Sequence, residues 1–177
     1  AIDNIALMAS IRTQIELCQE EAALVNVGLS HVKFHGALYN DAARNAEMAS
    51  GLADLIKSID QHLAVFGPHQ SALETAAEDA GLAFVAEGFI DRRYQRDGGL
   101  VPRSRSDAVI DRLSERADQA VALATGQPIP TDHKSIVVKA QTLCIHSDAD
   151  DAVQTAQMVR ARLTDAGIAF RAYRHAV

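Results

Sequence analysis

Three observations predict an α/β fold built on parallel strands. Segments with apolar residues every three or four positions alternate with short, partly β-branched apolar runs, and Gly or Pro stands at several junctions. The 177 residues, 48% hydrophobic and 23% charged, have a globular composition and suffice for a real core, so one domain over 1–177 is the expectation.

The first segment, from about Asn4 to Ala23, carries Ile5, Met8, Ile11, Ile15, Cys18 and Ala22 on one helical face. Leu29 to Phe34 then reads as a strand, closed by His35-Gly36 and leading into a functional loop. Met48, Leu52, Leu55 and Ile59 mark a second helix, and His62 to Phe66 a second strand stopped by Gly67-Pro68. Leu73, Ala76, Ala77 and Ala80 line a third helix, which Gly81 caps, before the strand Leu82 to Ala86.

An irregular polar stretch, Glu87 to Arg105, separates this part from the rest. Ser106 or Asp107 is placed to cap a helix with the apolar face Ile110, Leu113, Ala117, Val121 and Ala124, broken at Gly126 to Pro130. Thr142 to Ile145 reads as a strand, and Ala152, Ala156, Val159 and Leu163 as the last helix face. Gly167 precedes a final strand near Ile168 to Tyr173. Such alternation implies right-handed crossovers between parallel strands, in a doubly wound sheet or a barrel. In both, ligands bind beyond the C-terminal ends of the strands, so polar residues at strand exits carry the functional weight.

Composition narrows the function classes. A net charge of −6, with basic residues concentrated only between Arg92 and Arg105, argues against a nucleic-acid surface. The apolar runs are too short for a bilayer span and the N-terminus lacks the layout of a secretion signal, so a cytoplasmic protein is expected. Cys18 and Cys144 lack CxxC spacing, and burial of both in the core is the expectation. The sequence contains no GxxxxGK[ST] or GxGxxG nucleotide fingerprint and no GxSxG nucleophile elbow.

Three strand exits are rich in chemistry: Lys33-Phe34-His35-Gly36, Glu87 through Asp91-Arg92, and His146-Ser147-Asp148. A fourth, Gly67-Pro68-His69, adds an imidazole. A single loop histidine is more often a hydrogen-bonded surface residue than a catalyst. Converging His and carboxylate groups, however, serve as general acid and base or as ligands for a divalent metal. Among the arginines of the polar stretch, Arg92 and Arg103 flank its ordered-looking motifs, and their guanidinium forks suit carboxylate or phosphate oxygens.

The segment His31-Val32-Lys33-Phe34-His35-Gly36-Ala37-Leu38-Tyr39-Asn40 resembles the hallmark of the LamB/YcsF family, described as the 5-oxoprolinase A subunit. Glu87-Gly88-Phe89-Ile90-Asp91-Arg92-Arg93-Tyr94 with Gly99 to Arg103, and Cys144 to Asp148, follow in the family's order and spacing. The resemblance implies a seven-stranded β/α barrel of the glycoside hydrolase and deacetylase type, of which this chain forms a C-terminal part. It implies, too, a polypeptide that works with 5-oxoprolinase subunits B and C to open 5-oxoproline to L-glutamate, using ATP with magnesium at the level of the complex.

In that setting His35, Glu87, Asp91, His146 and Asp148 are the expected catalytic residues. Lys33, Tyr39, Asn40, Arg92 and Arg103 are the expected substrate-binding ones, and no metal ligands are assigned. A homo-oligomer stays open as an alternative.

Phe34 stands where the family usually has Pro, and Ser147 where it usually has Gly; His69 has no assigned counterpart. The family's first strand and its Gly-x-His-Ala-Gly-Asp and His-Pro-x-x-Pro-Asp blocks are absent from these 177 residues. An N-terminal part is therefore expected to be missing, and this polypeptide alone is expected to be inactive. Two other readings stand beside the leading one: a metal-dependent carbohydrate deacetylase with His35 or His146 as ligands, and a non-catalytic remnant or binding protein.

Overall fold

The computed structural model describes residues 3–173. These residues form two compact units, 3–85 with 172–173, and 86–171.

The first unit contains α1 (Asn4–Leu24), β1 (His31–Lys33), α2 (Gly36–Arg44), α3 (Ala46–Ile59), β2 (Ala64–Gly67) and α4 (Ala72–Asp79). Asp3 caps α1 by accepting the Ala6 N–H at 2.9 Å, and Ser71 caps α4 by accepting the Glu74 N–H. Strands β1 and β2 pair in parallel with His31, Val32 and Lys33 opposite Ala64, Val65 and Phe66. Val65 also donates to the Ala83 carbonyl, which holds the chain leading into β3 (Phe84–Phe89) alongside β2. Leu52, Ile56, Leu63, Val65, Leu73 and Ala77 form the centre of the core, all completely buried.

The second unit contains the rest of β3, then α5 (Leu113–Thr125), β4 (Thr142–Cys144) and α6 (Ala152–Asp165). β3 and β4 pair in parallel, with Glu87, Gly88 and Phe89 opposite Thr142, Leu143 and Cys144. Gly88 permits that approach: a Cβ here would lie 2.9 Å from the Ala140 Cβ and 3.1 Å from a methyl of Leu123. Gly126, at φ +67°, closes α5 in the left-handed conformation that its place in the sequence suggests.

The predicted parallel α/β class is the observed one, with differences at particular elements. Helix α2 occupies Gly36 to Arg44, where a loop was expected; Asn45 ends it and caps α3 by accepting the Met48 N–H. Helix α5 begins at Leu113 rather than after Ser106 or Asp107. The intervening residues cannot wind because Ala108 accepts the Arg93 N–H and Ile110 donates to the Asp91 carbonyl.

Residues 168–173 form no strand; Phe170 is half exposed there, and the Ile168 N–H closes the end of α6 on the Leu163 carbonyl. Neither cysteine joins the core. Cys18 is exposed because only Ile11 and Ile15 of the predicted α1 stripe are buried, and Cys144 is half-buried in β4.

Candidate functional site

In the first unit, Lys33 ends β1, exposed His35 forms the N-terminal boundary of α2, and Tyr39 is buried on that helix. Asn40 is exposed and lies one turn after Gly36, whose carbonyl its side chain approaches at 3.5 Å. At the exit of β2, the His69 ring meets the Glu74 carboxylate at 3.1 Å.

The second unit gathers Asp91, Arg92, Arg103, His146 and Asp148 around a cleft of about 50 Å³, room for a few water molecules. Its centre is a carboxylate–imidazole pair. Asp91 leaves the end of β3 and His146 the end of β4, and the parallel pairing of those strands sets the two exits side by side. Asp91 Oδ2 accepts from His146 Nδ1 at 2.8 Å and from the His146 backbone N–H at 3.2 Å.

An ionised carboxylate only accepts, so Nδ1 carries the ring proton and Nε2 is left as the basic nitrogen. The ring also stacks on Phe89, with centroids 5.5 Å apart and planes 25° from parallel. Burial pushes the Asp91 carboxyl upward. The side-chain bond from His146, its charge and its backbone N–H together outweigh burial and hold Asp91 below the usual carboxylate range. Among the described residues, Asp91 Oδ1 meets no donor although it is buried.

Arg92 is deeply buried and committed in part to the fold: Nε donates to the Ala108 carbonyl at 3.2 Å and Nη2 to the Val101 carbonyl at 2.6 Å. Those bonds brace the polar stretch, which forms an ordered excursion with antiparallel bridges Arg92–Val109 and Tyr94–Leu100. Arg103 and Asp148 approach to 3.9 Å on the exposed rim. Glu87 lies within β3, almost fully buried and opposite Thr142, rather than in the turn that follows. Among the described residues, no three His, Cys, Asp or Glu side chains are grouped to hold a metal ion.

Sequence reasoning missed the polar groups beneath the cleft. Arg116 and Gln119 face inward from α5, beside the apolar face expected along Leu113, Ala117, Val121 and Ala124. Arg116 donates through Nε to the Ile110 carbonyl at 2.6 Å and through Nη1 to Asp151 at 2.8 Å and Thr155 at 2.7 Å. Gln119 Nε2 faces the carbonyls of Phe89, Ile90 and Arg92 at 2.8, 3.2 and 2.8 Å. Tyr94 accepts the Phe89 N–H at 2.7 Å; burial pushes its phenol well above the usual range, so it stays protonated. The available signal was the spacing of Arg116, Gln119 and Leu123, three residues one face of a helix would present together.

The LamB/YcsF family model matches residues 1–177. The chain belongs to the LamB/YcsF family. The 5-oxoprolinase A subunit of Methylococcus capsulatus is 42% identical over 141 residues, covering 79% of this chain and 54% of that protein. Those of Histophilus somni and Bordetella pertussis are 39% and 40% identical, covering 80% and 85% of this chain and 58% and 60% of theirs.

This LamB/YcsF chain therefore spans little more than half the length of these curated relatives. A lactam utilization protein from Thermus thermophilus, solved by crystallography, superposes with a TM-score of 0.89 at 33% identity, covering 98% of this chain and 69% of that one. None of the helices among the described residues is long and apolar enough to cross a membrane.

Proposed function

We propose that this chain supplies the water-activating part of a 5-oxoprolinase, working in its A subunit with subunits B and C. The observation that carries the reading is the Asp91–His146 pair at adjacent strand exits, joined to the names of the relatives. Ring opening of 5-oxoproline adds one water across the lactam C–N bond and yields L-glutamate. His146 Nε2 takes a proton as water oxygen attacks the lactam carbonyl carbon, while Asp91 stabilises the imidazolium through Nδ1–H. As the C–N bond breaks, the imidazolium returns a proton to the leaving amine.

Arg103, and the N–H groups of Arg92 not directed at the Ala108 and Val101 carbonyls, suit the substrate carboxylate. Lys33, His35, Tyr39, Asn40, Glu87 and Asp148 are assigned to the same reaction through the family motifs they occupy. ATP with magnesium supplies the driving force in the complex, and no residue of this chain is assigned to hold it.

The test is L-glutamate formation from 5-oxoproline by the assembled A, B and C subunits. A His146→Gln substitution in the full-length protein is expected to reduce kcat by roughly 10²–10⁴-fold, the usual contribution of a general base. Unchanged turnover would reject the assignment.

A further inference from the structure

We infer that Gln119, on helix α5, is a positioning residue that aims the Asp91 carboxylate at His146 and thereby fixes the tautomer of the imidazole. The inference rests on the water-activating role proposed for that pair, but its structural part is testable without turnover.

Backbone bonds hold the turn at the end of β3 through its N–H groups, Ile90 on the Cys144 carbonyl at 3.3 Å and Arg93 on the Ala108 carbonyl at 3.0 Å. Its carbonyls are collected by one amide: Gln119 Nε2 lies 2.8 Å from the Phe89 oxygen, 3.2 Å from that of Ile90 and 2.8 Å from that of Arg92. The remaining carbonyl of the turn, on Asp91 itself, accepts the Ile110 N–H at 2.9 Å. All four acceptors around the carboxylate are thus held by α5 and the segment that leads into it. Gln119 is only 7% exposed, so water cannot take its place without entering the core.

The consequence is directional. With the turn's backbone fixed, the Asp91 side chain projects towards the end of β4, where Oδ2 receives both the ring Nδ1–H and the backbone N–H of His146. A carboxylate in that position selects the Nδ1–H tautomer and leaves Nε2 as the base. Gln119 touches neither the ring nor the cleft: it acts through Asp91.

The experiment compares Gln119→Met, similar in volume but unable to donate, with Val159→Ala, a cavity in α6 of the same unit that leaves the turn's bonds intact. Each is made in the full-length protein labelled with ¹⁵N-histidine, and ring nitrogen shifts at pH 8 report the His146 tautomer. Gln119→Met is expected to move His146 from a single Nδ1–H form to a tautomer mixture. In the assembled complex kcat then falls roughly 10–100-fold with KM unchanged. Val159→Ala is expected to lower thermal stability while keeping the tautomer and kcat.

A Gln119→Met protein with the native tautomer overturns the inference, and so does loss of the tautomer to the same degree in Val159→Ala. If the tautomer shifts while turnover is untouched, the positioning stands and the proposed role of His146 in water activation fails.

Discussion

Replacing Arg116 with Met removes the polar links that tie α5 to the start of α6 and to the segment before α5, while keeping similar volume. Arg116 is 6% exposed, and its guanidinium makes three bonds, to the Ile110 carbonyl, to Asp151 and to Thr155 Oγ1. Hydrogen bonds involving a charged group contribute about 1.5–3 kcal/mol each. The Asp151 carboxylate is 37% exposed, so solvent screens its share, and that bond counts for less. Thr155 is 1% exposed and its hydroxyl loses a partner that water cannot easily replace.

The sum is a loss of about 3–5 kcal/mol, as for breaking a buried pair on one side. In a protein of this size each kcal/mol lowers Tm by roughly 2–4 °C, giving a fall on the order of 10 °C. Urea unfolding followed by circular dichroism measures the loss, and a double-mutant cycle with Thr155→Val isolates the buried bond. A loss under about 1 kcal/mol, or strict additivity with Thr155→Val, refutes the reasoning.

Other outcomes follow from single contacts. Asp91 has a folded pKa below its unfolded value, so its contribution is complete above about pH 4 and is lost as pH falls through the lower folded value. Asp91→Asn should flatten the acid limb of stability below about pH 4, read from urea midpoints; an unchanged limb would contradict the pairing with His146. Tyr94→Phe removes the acceptor of the Phe89 N–H and should cost about 1–3 kcal/mol, measured by the same unfolding curves. Gly88→Ala forces a Cβ to within 2.9 Å of Ala140 Cβ and should cost roughly 1–3 kcal/mol, with partial recovery in Gly88→Ala/Ala140→Gly.

The strand exits were legible because the residues that make them are local. His35, Asp91 and His146 follow short apolar runs, and a parallel α/β reading is enough to mark such positions. Helix α2 was harder, since its first turn coincides with the family motif at Gly36 and Tyr39 and its apolar content is low. Residues 106–112 misled for a different reason. Their apolar spacing continues into α5, but Ala108 and Ile110 are tied to Arg93 and Asp91 by backbone bonds that no periodicity reveals.

By itself, the sequence determined the class of fold, the family, and the identity of the polar groups at each strand end. Those depend on local pattern and motif, which the linear order of residues carries. Only the tertiary structure decided that His146 meets Asp91 through Nδ1, that Arg92 braces a loop, and that Arg116 and Gln119 turn inward. Such contacts join residues 6 to 55 positions apart and depend on how loops close and which side of a helix faces the sheet. The acceptors Gln119 serves are backbone carbonyls, which every residue possesses, so their convergence leaves no trace in side-chain order.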